Sequence, residues 1–217
     1  MRTLLLLSLV LAGCSDSNNN TTVDAPPAID APAATPPLAL DCNTYCTHLA
    51  ADCTGANAQI SMANCMGTCM VFPPGAQADT SGHTLGCRNY HLQNIEVRQG
   101  SPEVHCPHAG PIGSPVAAPA GVCGTSACDD FCAMEVKVCG TDAAPVAGVT
   151  NRYSDVAACK TACATFVTTP EASPSAPPGN TFACRVYHMT NAAAAATTTN
   201  VNLHCGHTLV PATAVCI

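Results

Sequence analysis

Cys42-Asn43-Thr44-Tyr45-Cys46-Thr47-His48-Leu49-Ala50-Ala51-Asp52-Cys53 decides the fold, because Cys128-Asp129-Asp130-Phe131-Cys132-Ala133-Met134-Glu135-Val136-Lys137-Val138-Cys139 repeats its C-x3-C-x6-C spacing. An aromatic residue precedes the second cysteine in both stretches, as Tyr45 and Phe131. Cys42, Cys46, Leu49 and Cys53 recur at i, i+4, i+7 and i+11, which is one face of a helix. Asp41 and Ser126 are suited to N-capping, and Ser126 with Asp129 has the pattern of a capping box.

The correspondence continues along the chain. A second C-x3-C follows, Cys65/Cys69 in one copy and Cys159/Cys163 in the other. Its apolar stripes, Met62-Cys65-Cys69-Phe72 and Val156-Cys159-Cys163-Phe166, again have helical spacing, with stops at Pro73-Pro74 and Pro170. A third segment opens at Thr84 and Thr181 and carries Cys87 and Cys184. The stretch Thr84-Leu-Gly-Cys-Arg-Asn-Tyr-His91 matches Thr181-Phe-Ala-Cys-Arg-Val-Tyr-His188. Then come His105-Cys106-Pro107-His108 and His204-Cys205-Gly206-His207, and a closing Cys123 or Cys216. So ordered a set marks an internal duplication. The expected fold is mainly α: two tandem disulfide-rich repeats, at 41–123 and 126–217. Each should hold about three helices and a disulfide-tied C-terminal loop.

Two antiparallel C-x3-C helices would bring Cys42 opposite Cys69 and Cys46 opposite Cys65, and in the second copy Cys128 opposite Cys163 and Cys132 opposite Cys159. This resembles the twin C-x3-C hairpins of plant defence hairpinins and small mitochondrial carrier chaperones. The resemblance covers the first two helices of each repeat and implies architecture alone. For the remaining cysteines two arrangements are open. If the third helix runs beside the first, Cys53 pairs with Cys106 and Cys87 with Cys123, giving Cys139–Cys205 and Cys184–Cys216 in the second copy. The competing arrangement is Cys53–Cys87 with Cys106–Cys123. We favour the former.

Composition explains the cysteines. Only 10% of the 217 residues are charged, 4% are aromatic and none is Trp. Small domains with so few large side chains need covalent staples. The net charge is −7 with no basic patch, which argues against nucleic acid as a partner.

The chain starts with Arg2, an apolar run Leu4–Leu11, and Leu11-Ala12-Gly13-Cys14. Charge, short apolar run and small residues make a secretory signal at 1–13, too short to span a bilayer. The last four residues resemble the bacterial lipobox. That resemblance implies cleavage before Cys14, acylation of Cys14 and, from Ser15 at the next position, sorting to the outer membrane. Cysteine parity agrees: of 17 cysteines, setting Cys14 aside leaves an even sixteen, as a disulfide framework in an oxidising compartment requires. Residues 14–40, rich in Pro, Ala, Asn and Thr, read as a disordered tether.

Six of the eight histidines are matched between the copies: His91/His188, His105/His204 and His108/His207. Three imidazoles per repeat make a candidate open site for one Cu or Zn ion. The alternative is structural, with His91 bonding loop carbonyls and with Arg88 and Arg185 pinning a helix end or a carboxylate. No covalent-haem, nucleophile-elbow or calcium-loop pattern is present, and an even cysteine count in each half leaves no free nucleophile. C-R-x-Y-H followed by H-C-x-H resembles repeats of uncharacterised cysteine-rich bacterial lipoproteins over residues 41–217. The leading reading is a non-enzymatic envelope protein, membrane-bound through its lipid, that binds a protein or small ligand or plays a structural role. The alternative is a Cu/Zn-binding envelope protein; no cofactor is expected beyond these two metals, with haem a remote option.

Overall fold

Asp41 begins the first helix by accepting a 2.8 Å hydrogen bond from the Thr44 amide, and α1 (Cys42–Asp52) follows. The computed structural model describes residues 35–95, 100–113, 122–140, 148–150, 152–168, 172–211 and 215–217. The expected signal peptide, Cys14, residues 14–34 of the expected tether and the expected helix stop Pro170 lie outside the described residues.

Four helices form each repeat among those residues. The first has α1, the short α2 (Cys65–Cys69), α3 (Leu85–Asn94) and α4 (Pro102–Ala109). The second has α5 (Ala127–Cys139), α6 (Val156–Cys163), α7 (Phe182–Ala194) and α8 (Thr198–Thr208). Side-chain caps start most of them. Thr84 and Thr181 accept from the amides of Cys87 and Cys184, and Ser126 accepts from Asp129 while its hydroxyl donates to the Asp129 carboxylate. These caps satisfy amides that a helix start leaves without partners.

Eight disulfides staple the helices. Cys42–Cys69 and Cys46–Cys65 join α1 to α2, and Cys128–Cys163 and Cys132–Cys159 join α5 to α6. Of the two arrangements open for the remaining cysteines, the structure has Cys53–Cys106 with Cys87–Cys123, and Cys139–Cys205 with Cys184–Cys216.

Two expectations need correction. The His-Cys-x-His segments lie on helices, α4 and α8, and not in a tied loop. Ser101, Pro102 at the helix start and Glu103 in the first turn supply start signals for α4 that Pro107, inside the helix, obscures. Met62 and Val156, assigned to apolar stripes facing the core, are both 42% exposed. Met62 sits in a 3-10 turn (Met62–Asn64), out of the register of α2, and Val156, although in register with Cys159 and Cys163, is the first residue of α6, at its exposed end.

The core is built the same way twice. Tyr45 meets Phe72 edge-on at 5.8 Å, and Phe131 meets Phe166 at the same distance. The Arg88 guanidinium lies 3.9 Å from the Phe72 ring centre and that of Arg185 4.1 Å from Phe166. Residues 35–217 cluster as one unit, and a continuous set of buried apolar residues runs through both repeats. They approach closely at Gly67 of α2: a Cβ there would lie 2.6 Å from the Ala193 carbonyl oxygen and the Ala194 Cα of α7. Lys137 of α5 donates to the Val71 carbonyl across the same junction, and His83 Nδ1 lies 3.5 Å from Asp130 Oδ1.

Residues 35–39 are fastened down. Gln93 donates to the carbonyls of Thr35 and Pro36, Gln77 to those of Pro37 and Leu38, and Asn89 to that of Ala39. Composition grouped these residues with the tether, because Pro and Ala give no sign of backbone acceptors that helix α3 will use.

Candidate metal centres

His91 follows Cys87 by one turn of α3, and the Cys87–Cys123 disulfide fixes that face inward. His105 and His108 are three apart on α4, so both project from one side, with Cys106 between them tied to Cys53 at the end of α1. α3 and α4 pack together. As a result, ligand nitrogens of His91, His105 and His108 all lie within 4.8 Å of one another. His188 on α7 with His204 and His207 on α8 repeats the arrangement within the same limit.

Close nitrogen pairs define each cluster. His91 Nδ1 is 3.1 Å from His105 Nδ1. In the second repeat His188 Nδ1 is 3.1 Å from His204 Nδ1 and 3.2 Å from His207 Nδ1. Zinc–nitrogen bonds are ~2.0–2.1 Å long, so nitrogens at these separations could be reached by one shared ion, and three imidazoles would be the protein ligands of an open site.

The electrostatics keep these rings neutral. Burial first, and then the neighbouring imidazoles His108 and His105, hold the His91 pKa down at about 3. Burial followed by His207 and His204 does the same to His188, at about 4. Burial also lowers His105, His108, His204 and His207. A neutral imidazole is the ligand form.

The expected structural role for His91 was to bond loop carbonyls. Its Nδ1 faces His105 instead, and Nε2 of His91, His105 and His188 is buried without a hydrogen-bond partner. The arginines do serve the backbone. Arg88, fully buried, donates to the carbonyls of Thr84, Gly110 and Pro111, and Arg185 donates to Leu209. Tyr90 and Tyr187 stand edge-on to His91 and His188 at 5.3 and 5.2 Å. Of the two unmatched histidines, His83 lies 3.2 Å from an Arg88 nitrogen and His48 lies 4.0 Å from Asp52, so neither joins a cluster. A ring nitrogen of His91 also lies within 4.8 Å of both sulfurs of Cys87–Cys123, which as a disulfide offers no thiolate.

Sequence reasoning missed Glu135. It is buried on α5 and accepts a 2.8 Å hydrogen bond from Thr208, the residue after His207. Burial pushes its carboxyl pKa up to about 8, against a smaller opposing effect of the Thr208 bond. The position corresponds to Leu49 in the first repeat, and that leucine-for-glutamate difference was the available signal.

Fold and clusters define a class: a tandem, disulfide-stapled helical repeat with three convergent imidazoles per copy. Over residues 38–130 the chain is similar to the BfoA family C-terminal domain. That span covers α1 to α4 and ends within α5. No curated protein and no solved structure matches the chain.

Proposed function

We propose that this is a non-enzymatic, lipid-anchored envelope protein that binds one zinc or copper ion in each repeat through His91, His105 and His108 and through His188, His204 and His207. The observation that supports this reading best is the twofold recurrence of three neutral imidazoles with ligand nitrogens within 4.8 Å. Duplication alone would preserve matched residues, and a hydrogen bond between facing Nδ1 atoms would satisfy one nitrogen of each ring, but it leaves the buried Nε2 atoms of His91, His105 and His188 without a partner. The lipobox resemblance supports the anchor at Cys14 and an outer-membrane address. No helix among the described residues is long and apolar enough to cross a membrane.

The test is metal stoichiometry on oxidised, tag-free protein at neutral pH, challenged with micromolar Zn(II) or Cu(II). We expect two ions per chain, one in either His91→Ala or His188→Ala, and none in the double variant with helical circular dichroism retained. No bound zinc or copper in the parent protein would end this reading.

A further inference from the structure

Three of the six methionines stand outside the core and close together in sequence. Met62, Met66 and Met70 are 42%, 42% and 71% exposed, whereas Met134 and Met189 are fully buried. Met66 and Met70 stand one helical turn apart, on α2 and its C-cap, and Met62 precedes them in the 3-10 turn (Met62–Asn64) that leads into α2. Cys65 and Cys69, on the same short segment, are bonded to Cys46 and Cys42, so α1 holds the backbone beneath the methionines in place.

Packing does not account for these residues. The second repeat builds the same hairpin with Val156, Lys160 and Ala164 at the corresponding positions. The fold therefore tolerates a β-branched residue, a cation and a methyl group there. What the first repeat adds is three thioethers on unbranched side chains with three rotatable bonds each, able to turn toward a common point. Thioether sulfur is a soft ligand that selects Cu(I) over the harder divalent ions.

We propose that Met62, Met66 and Met70 form a surface thioether site for a soft monovalent cation of the Cu(I) type. The site shares no residue with the histidine clusters and does not depend on their being occupied. It exists only in the first repeat. Thioethers carry no charge and do not titrate, so protons do not compete for it.

Silver(I), a redox-inert ion of the same charge and softness, is the probe. The full chain is used with Cys14→Ser, so that no free thiol competes, and with ¹³C-labelled methionine methyl groups. We expect Ag(I) to shift the methyl signals of Met62, Met66 and Met70 while those of Met134 and Met189 stay in place. Zn(II) should leave all five unmoved. The variant Met62→Leu/Met66→Leu/Met70→Leu should bind one Ag(I) fewer than its parent. Leucine is close in volume and these positions are exposed, so the variant should fold, which circular dichroism checks. Because the methyl readout uses the methionines as they are, the proposal can fail even if the variant does not fold. Unmoved methyl signals under Ag(I), or an unchanged Ag(I) stoichiometry in a folded triple variant, would overturn it. So would methyl signals that respond to protein concentration and not to silver, the signature of a protein-docking patch.

Discussion

Glu135 isolates one residue's effect on stability. Its pKa is raised from 4.5 to about 8 by burial. The folded chain therefore holds this proton more tightly than the unfolded chain, and the contribution to stability is fully present below the unfolded pKa near 4.5. It declines as pH rises and is lost once pH passes about 8. The buried histidines act in the opposite sense. Their folded pKa values lie below the ordinary 6.5, so the unfolded chain takes up protons first and stability falls as pH drops below that value. Glu135→Gln keeps the Thr208 contact and removes only the carboxyl titration. We expect the variant to gain stability over wild type as pH rises from 5 to 9, measured as a growing difference in denaturation midpoint. A constant difference across that range would contradict the assignment. At this scale the sequence was half legible. The six histidines stood out because duplication preserved their spacing. Glu135 did not, because a glutamate within a helix ordinarily reads as a solvated face and only the tertiary structure buries it.

α4 and α8 show what the disulfides do for the elements. Cys106 lies between His105 and His108, and its bond to Cys53 closes a separation of 53 residues. Closing so long a loop is worth about 4 kcal/mol through the unfolded chain. Replacing both partners, Cys53→Ser/Cys106→Ser, should lower stability by ~2–5 kcal/mol in chemical denaturation. It should also weaken metal binding in the first repeat while the second keeps its ion, which the stoichiometry measurement reads directly. Equal loss in both repeats would show that the bond acts globally. The periodicity of α1 and of the second C-x3-C segments, α2 and α6, was visible because cysteines and apolar residues recur there at helical spacing. The buried residues of α4 are His105, Cys106 and Ala109, those of α8 are Val201, Cys205, Gly206, His207 and Thr208, and an internal proline interrupts α4, so neither helix carries an apolar stripe.

In the whole molecule, the duplication and all four disulfides of each copy could be reasoned from spacing, with one pairing choice left open. How the copies pack could not. The junction rests on small residues, Gly67 against Ala193 and Ala194, and small residues carry no hydrophobic signal. Gly67→Val would drive a side chain into the backbone of α7. We expect a loss of about 1–3 kcal/mol, seen as a lower thermal midpoint with the disulfides intact. An unchanged midpoint would mean that the repeats do not meet at Gly67 in solution.

The bonds from Asn89, Gln93 and Gln77 to residues 35–39 determine where a working fragment must begin. Asn89 and Gln93 bracket His91 on α3, and Asn89 is only 2% exposed. A protein trimmed to start at Asp41 would leave that amide with no acceptor, at a cost of about 1–3 kcal/mol. Such a fragment should melt earlier than one starting at Thr35. By the same bonds, a pull on the chain ahead of residue 35 would be felt first by the helix that holds His91.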